Sequence, residues 1–324
     1  QTAGSCVANL SLLSLGSALL FLGFQAMGQS EDQAFDLLSS DFLKGYFVAN
    51  PINATYIGVH EYDNILDDIG QAAVEKEIAR LKQFQRHLAG IDQPSLSKDK
   101  SIDYRILLEN IDEMLFGLSE LREYEWNPMV YTGALGNSIA GLIYQEFAPL
   151  ETRMKNAAAR ATQVARFLDQ AKTNLKNAPP IHVETAINQN QGNVGLFKDE
   201  LTKAAKDAPA DLQKEVADAS AKAVAALEDF GKWLETDLKP RATKDSRLGK
   251  ELFEKKLTWA LKSKLNPAQV LQRAEAENMR VHREMYALAA PLYKEYYGEE
   301  AGAKDTLDVI QKVLDKIVLD HPKK

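Results

Sequence analysis

The chain has 324 residues, of which 45% are hydrophobic and 26% are charged, a balance typical of a globular protein with one large or two ordinary domains. Its 39 Lys and Arg residues against 46 Asp and Glu residues give a net charge of -7, and no basic run is interleaved with aromatic residues. This pattern excludes the electrostatic footprint of a nucleic-acid-binding protein, so we expect no nucleic acid partner.

An apolar segment without charged residues opens the chain. It runs from Leu10 to Phe24, and the first charged residue is Glu31. Its length is that of the hydrophobic region of a signal peptide, and small residues at and before Gly28 suit signal peptidase. We therefore predict a signal peptide over residues 1–28, its upstream basic residues missing, and a location in the periplasm or cell envelope. The alternatives are a buried core helix and a retained membrane anchor; only an uncleaved leader would contact a membrane.

The remaining residues, 29–324, predict an all-α fold of long antiparallel helices in one helical domain. A capping box at Ser30 and Gln33 starts the first helix, and Asn50 with Pro51 ends it. Apolar residues at helical spacing then mark four further helices. They are Val74, Ile78, Leu81 and Leu88; Leu107, Ile111, Met114, Leu118 and Leu121; Val164, Phe167, Leu168, Ala171 and Leu175; and Leu212, Val216, Ala219, Ala223, Phe230 and Leu234.

Two more helices are predicted towards the C-terminus. Asn266, Pro267 and Gln269 form a strong helix start, and a last helix begins near Asp305. The helix that begins after Asn266 carries an apolar seam with one polar residue, Asn278. Asn278 either fixes the register of this helix or faces a ligand. No alternating strand pattern of useful length appears, and residues 239–250 are the candidate linker. The seam comprises Leu271, Ala274, Asn278, Val281, Met285 and Leu288, and the inward face of the last helix comprises Leu307, Ile310, Leu314 and Ile317.

Candidate site residues lie close together between Asn50 and Asp63. This segment lacks helical periodicity and predicts a loop shaped by proline and glycine, on which polar side chains follow one another closely. Such a loop suits the wall of a substrate cleft, and His60, Tyr62 and Asp63 are our candidates there. The alternative is structural, with Asp63 capping the next element and His60 bound to a backbone carbonyl.

A second unusual segment begins at Trp126 and combines aromatic residues with asparagine and glycine. Asn127 and Tyr131 are the candidates for contact with substrate in this segment. Close packing of helices at the glycines is an equally good interpretation. The glycines and their polar and aromatic neighbours are Gly133, Gly136, Asn137, Gly141 and Tyr144.

The histidines do not form a zinc motif. Zinc hydrolysis needs two or three His or carboxylate ligands around one ion, and a carboxylate that takes a proton from the bound water. His60 is followed by a glutamate, but Asn64 occupies the position of the second histidine. His282 and Glu284 lie two residues apart and so on different faces of a helix, and His182 is expected to be exposed at a helix start. We therefore predict no catalytic residue, metal ligand or cofactor in this chain.

Three ordered motifs resemble a large bacterial family, domain of unknown function 885. The first is Pro-x-x-Ala-Thr-x-x-Gly-x-His-x-Tyr-Asp from Pro51, with every named place filled. The second joins an Asp-x-x-Ile-Leu helix at Asp103 to the aromatic-Asn-Pro segment at Trp126. The third joins Pro-Leu-x-x-Arg at Pro149 to Phe-Leu-x-x-Ala-x-x-Asn-Leu at Phe167. The resemblance extends from about residue 31 to the end of the chain.

The resemblance implies a helical, zincin-like zinc metallopeptidase of which this chain is the N-terminal half. The family's His-Glu-Gly-x-Pro-Gly-His motif falls in the half that this chain lacks, so zinc is expected only for the complete protein. The implied function is the cleft-forming half of an exported peptidase with a peptide or protein substrate, inactive as this fragment. The alternative is a non-catalytic helical binding or scaffold protein of the cell envelope.

Overall fold

A computed structural model describes residues 30–302 and 304–319, and within them the backbone is helical and contains no β-strand. The prediction of an all-α fold is confirmed. Contacts divide the chain into two compact units, the first ending at Ser246 and the second beginning at Arg247. The predicted signal peptide over residues 1–28 lies outside the described residues. None of the helices described is long and apolar enough to cross a membrane.

The first unit consists of successive α-helices joined by short turns. The α-helices are α1 (Glu31–Ala49), α2 (Pro51–Tyr56), α3 (Gln71–Leu88), α4 (Lys98–Phe116), α5 (Met129–Tyr144), α6 (Leu150–Ala161), α7 (Val164–Asn174), α8 (Pro180–Gly195), α9 (Leu201–Ala204) and α10 (Ala210–Trp233). α4, α8 and α10 continue into π-helical turns at Gly117–Leu121, Leu196–Glu200 and Leu234–Leu238. Short 3-10 turns lie at His60–Tyr62, Gln93–Ser95, Glu123–Glu125 and Lys239–Arg241.

The predicted limits of α1 are confirmed. The Ser30 hydroxyl accepts the Gln33 amide N–H at 3.3 Å, and the Gln33 side chain accepts the Ser30 N–H at 3.3 Å. These two bonds satisfy amide groups that have no partner within the first turn of a helix. The helix ends at Ala49, and Pro51 begins α2 directly after it.

The segment between Asn50 and Asp63 is more regular than the predicted loop. It forms α2 over Pro51–Tyr56 and a 3-10 turn over His60–Tyr62. Proline suits the first position of a helix because its φ is already helical and its missing N–H would have had no partner there. Gly58 then follows the helix with a φ of 87°, a left-handed conformation that a Cβ would disfavour.

Two clusters of buried residues form the core of the first unit. α6 and α7 pack against α10, and α5 packs against α6 and α8. The apolar stripes predicted on α7 and α10 are confirmed, because every member is at most 4% exposed. In the second cluster α1, α3 and α4 bury Phe35, Phe42, Leu81 and Ile111. Burial of each such side chain stabilises the fold by roughly 1.5–3 kcal/mol.

The second unit contains α11 (Lys250–Leu261), α12 (Pro267–Tyr297) and α13 (Thr306–Ile317). The predicted start of α12 is confirmed by a capping box. Asn266 Oδ1 accepts the Gln269 N–H at 2.9 Å, and Gln269 Oε1 accepts the Asn266 N–H at 3.0 Å.

Burial in the second unit differs from the prediction. On α12 the expected seam is open, since Leu271 and Leu288 are 59% and 72% exposed and Asn278 is exposed. On α13 Ile310 is buried as predicted, whereas the other three predicted inward residues are 40–53% exposed. Apolar residues occupy more than one face of α13, so spacing alone did not identify the buried face. Among the residues of this unit that the structure describes, the buried ones are Ala289, Tyr293, Ala301, Val309, Ile310 and Val313.

Candidate functional site

A buried arginine holds the segment around α2 in place. Arg160 on α6 is 1% exposed, and its Nη2 donates to the Pro51 carbonyl at 3.1 Å and to the Thr55 hydroxyl at 2.6 Å. Its Nε donates to the Ile65 carbonyl at 3.0 Å, and its Nη1 donates to the Ser138 carbonyl at 2.8 Å. A guanidinium carries five N–H donors in fixed directions, so one side chain joins α2, α5 and α6 to the chain after the 3-10 turn.

The charge of this arginine is balanced by two carboxylates. Burial lowers the pKa of Arg160 from its ordinary value to about 10, because the guanidinium loses its hydration, while Asp63 and Asp67 oppose the shift. Arg160 is therefore still charged at neutral pH. A buried charge with paired hydrogen bonds is costly to disturb, so this contact fixes the local backbone.

Two of the predicted site residues continue this network. Asp63 is 2% exposed; its Oδ1 accepts the Thr55 hydroxyl at 2.6 Å, and its Oδ2 lies 3.1 Å from His60 Nδ1. The His60 ring stacks on Phe147, with centroids 3.8 Å apart and planes at 7°. A chain of contacts thus runs from Arg160 through Thr55 and Asp63 to His60, whose side chain is 34% exposed.

Two other predicted residues contribute mainly to the backbone. Tyr62 is half-buried, and its carbonyl accepts a hydrogen bond from Arg160 Nη2 at 3.4 Å. Asn127 Oδ1 accepts the Met129 N–H at 3.2 Å at the start of α5, and its Nδ2 lies 3.5 Å from Glu123 Oε2. Among the described contacts, neither side chain joins the pair formed by His60 and Asp63.

Tyr131, the fifth predicted residue, lies in the core. It is 0% exposed, its hydroxyl donates to the Tyr124 carbonyl, and the hydroxyl accepts the Asn174 amide at 3.2 Å. Burial raises the pKa of Tyr131, because the phenolate would lose its hydration. The ring also contacts Phe167 edge to face, with centroids 6.0 Å apart.

A surface pocket of about 590 Å³, here called the α2–α5 pocket, adjoins the segment that Arg160 holds. This volume is in the range of pockets that bind small organic molecules. Apolar and polar side chains share its wall, and the five residues predicted from the sequence are not among them. The lining residues are Ile52, Asn53, Tyr56, Asp67, Val130, Gly133, Ala134 and Asn137.

Asp67 is the charged residue of the α2–α5 pocket. Its Oδ1 accepts the Ile52 N–H at 3.0 Å and so caps the first turn of α2. Burial raises the pKa of Asp67, while that hydrogen bond and the charges of Arg160 and Arg166 act in the opposite direction. Sequence reasoning missed Asp67, because its contact with Ile52 spans fifteen positions and has no local signal.

The glycines of α5 support both interpretations of that segment. Gly133 lines the pocket, and a Cβ added there would meet no atom within 4 Å. At Gly136 a Cβ would lie 3.0 Å from Asn193 Oδ1, and at Gly141 it would lie 3.7 Å from Thr55 Cγ2. Gly133 therefore opens space for a ligand and Gly136 allows the Asn193 side chain to approach closely, whereas a Cβ at Gly141 would make ordinary van der Waals contact.

Proline chemistry could have indicated part of the pocket from the sequence. Pro51 at the first helical position predicts a helix rather than a loop. In a helix Ile52 and Tyr56 lie four residues apart and therefore on one face. This is the face of α2 that lines the pocket, together with Asn53.

The residues described do not fit a zinc site. Over 30–302 and 304–319, no group of three His, Cys, Asp or Glu residues is placed to hold a metal ion. His182, which we expected to be exposed, is half-buried and stacks on Trp126 with centroids 5.8 Å apart. Burial lowers the pKa of His182, and its Nδ1 has no hydrogen-bond partner. The zinc implied by the family resemblance therefore has no ligand set among these residues.

Comparisons with known proteins identify relatives of unknown function. No curated protein matches the chain. A solved structure of a candidate lipoprotein of unknown function from Shewanella oneidensis is similar, with 25% sequence identity and a TM-score of 0.74. The similarity covers 91% of this chain and 54% of that one, so this chain spans about half the length of that relative. The model of a family described as bacterial protein of unknown function (DUF885) matches residues 51–320, and the chain therefore belongs to the DUF885 family.

Proposed function

We propose that the chain is the cleft-forming helical part of an exported cell-envelope protein that binds a peptide or protein substrate at the α2–α5 pocket. The observation that carries this proposal is the pocket itself. It combines a volume suited to a few amino-acid residues with apolar surface and with amide, phenol and carboxylate groups that can pair with a peptide backbone. The buried contacts of Arg160 hold one wall in place, which lowers the entropy lost on binding.

Two observations support an exported location. The apolar segment over Leu10 to Phe24 has the length of a signal-peptide core. The similar protein from Shewanella oneidensis is described as a candidate lipoprotein. N-terminal sequencing of the protein expressed with its native upstream codons tests this part. A mature protein that begins near Gln29 is the expected result, and an intact leader on a cytoplasmic protein would contradict it.

We further propose that the complete protein is a peptidase, as the DUF885 resemblance implies. Zinc would supply the activated water for hydrolysis when it is bound. In this proposal its ligands come from outside the described residues, and the described residues bind and orient the substrate. His60, Tyr62 and Asp63 act on cleft geometry, because they belong to the segment that Arg160 anchors.

Peptide binding to the 324-residue chain tests the proposal directly. Fluorescence anisotropy of a fluorescein-labelled casein peptide should report saturable binding to the native protein. Gly133→Leu places a side chain in the pocket, where an added Cβ meets open space, and should abolish this binding. Gly192→Leu is the matched control, since Gly192 on α8 is equally unobstructed but lies outside the pocket. Equal binding by both variants, or no binding to the native protein, would refute the proposal.

The gene beyond the codon for Lys324 separates the peptidase from the alternative function. An in-frame continuation that encodes a His-Glu motif supports the peptidase. A stop codon at that place would instead favour a non-catalytic binding or scaffold protein.

A further inference from the structure

The charge on the wall of the α2–α5 pocket is negative. Asp67 is its charged lining residue, and no lysine or arginine is among the residues that form its wall. An anionic ligand would face a carboxylate with no cation in the wall to compensate, which costs free energy in a partly desolvated site. The charge of the wall therefore favours a ligand with a positive charge and hydrogen-bond donors.

Asp67 has accepting capacity left for such a donor. The hydrogen bond that its carboxylate makes directly is the one that it accepts from the Ile52 N–H at 3.0 Å. Arg166 Nη2 donates to the Asp67 carbonyl at 3.0 Å, and Arg160 bonds to the other groups described above, so both act on the carboxylate at longer range. A carboxylate offers about four lone-pair positions, and a single amide leaves most of them for a ligand.

The other lining residues indicate which chemical groups of a ligand would lie next to its positively charged group. Ile52, Val130 and Ala134 offer small apolar surfaces, and Gly133 leaves room for a methyl or larger group. Tyr56 is 41% exposed, and Asn137 is also exposed, so both present polar groups to a ligand. A primary ammonium beside a small apolar group and a peptide amide matches these three surfaces together.

We propose that the α2–α5 pocket binds the primary ammonium group of a peptide, with Asp67 as its acceptor and a small apolar residue next to the amine against Ile52, Val130 and Ala134. This inference rests on the proposed peptide-binding function. The ammonium can come from the peptide's N-terminus or from a lysine side chain. Either source presents three N–H donors to the carboxylate, and a hydrogen bond between two charged groups is about twice as strong as a neutral one.

Three tripeptide amides distinguish the sources by isothermal titration calorimetry with the 324-residue chain. They are Ala-Ala-Ala amide, its N-acetylated form, and N-acetyl-Ala-Lys-Ala amide. We expect the free N-terminus to bind and N-acetylation to weaken binding at least tenfold. Tight binding by the acetylated lysine peptide would support the ammonium and assign it to a side chain.

Matched variants test the role of Asp67. Asp67→Asn keeps an oxygen that can accept the Ile52 N–H but removes the charge, so it should weaken binding of Ala-Ala-Ala amide at least tenfold. Asp68→Asn is the control, because Asp68 is the exposed neighbour and lies outside the pocket wall; its affinity should equal that of the native protein. Circular dichroism of each variant checks that the fold is retained.

The outcomes separate this inference from the proposed function. If the N-acetylated peptide binds as tightly as the free one and Gly133→Leu abolishes both, the pocket binds peptides but the ammonium assignment is wrong. Unchanged affinity in Asp67→Asn would also overturn the assignment. If none of the tripeptides and no casein peptide binds, the proposed function itself fails.

Discussion

At the scale of single residues, Arg160 is a side chain whose loss should strongly reduce stability. Replacing it by methionine would remove the hydrogen bonds to the buried Ser138 and Pro51 carbonyls and the positive charge that offsets the buried Asp63 carboxylate. Removing one partner of a buried ionic network destabilises proteins by roughly 3–5 kcal/mol. We therefore expect Arg160→Met to lower the free energy of unfolding by about that amount, measured by urea denaturation.

The control for this substitution is an exposed arginine. Arg86 on α3 is exposed, and Arg86→Met should change the free energy of unfolding by less than about 0.5 kcal/mol. A similar effect of the two substitutions would contradict the role assigned to the Arg160 network.

Asp67 should make stability depend on pH. Its folded pKa is raised above 3.8, so the folded protein holds this proton more tightly than the unfolded chain. The resulting stabilisation is fully present below about pH 3.8 and is lost as pH rises through the folded pKa. Asparagine does not ionise, so the stability of the native protein relative to Asp67→Asn should decrease from pH 4 to pH 7 in urea titrations. A difference that stays constant over this range would refute the direction of the shift.

The sequence identified the polar segment between Asn50 and Asp63, but it did not identify the role of each side chain in that segment. His60 and Asp63 are in contact, and Asp63 also accepts the Thr55 hydroxyl, so part of the polar density holds the chain in place. The pocket residues Ile52 and Tyr56 look like ordinary helix residues. A site formed by elements distant in sequence cannot be located from local composition.

At the scale of the elements, α5 offers a paired test of its glycines. Gly133→Ala should raise the free energy of unfolding by about 0.5–1 kcal/mol, because glycine is a poor helix former and the added Cβ meets open space. Gly136→Ala should give no such gain, because its Cβ would lie 3.0 Å from Asn193 Oδ1. Asn193 cannot easily move, as its Nδ2 donates to the Thr132 carbonyl at 2.8 Å.

Thermal unfolding followed by circular dichroism measures both variants under the same conditions. A higher melting temperature for Gly136→Ala than for Gly133→Ala would contradict the packing described for α5.

The start of a helix could be predicted from the sequence where the residues that set it lie close together in the chain. The capping boxes at Ser30 and Asn266 gave the starts of α1 and α12, since cap and partner lie three residues apart. The prediction of the buried face of α13 was largely wrong, because the face that a helix buries depends on the element against which it packs. The predicted loop misses α2, because Pro51 both ends one helix and begins the next.

At the scale of the whole molecule, the two compact units should differ in independent stability. The buried clusters of the first unit use residues up to Leu238, whereas the described part of the second unit buries six residues, from Ala289 to Val313. Small cores seldom offset the conformational entropy lost on folding. We therefore expect a protein of residues 30–246 to unfold cooperatively in urea with native-like circular dichroism.

The matched protein of residues 247–319 should show a broad and weak transition in the same experiment. A sharp transition for the shorter protein together with a gradual one for residues 30–246 would reverse this assignment of stability.

The two faces of α2 have a consequence for how new binding preferences arise. Pro51 and Thr55 are bonded to Arg160, while Ile52 and Tyr56 line the pocket. Substitutions on the pocket side can therefore alter ligand choice while the anchoring hydrogen bonds stay intact. A library randomised at Tyr56 on α2 and at Val130 and Asn137, the exposed pocket residues of α5, would explore many ligands on one unchanged backbone. Selection could diversify recognition within this fold in small steps, without each step passing through an unstable intermediate.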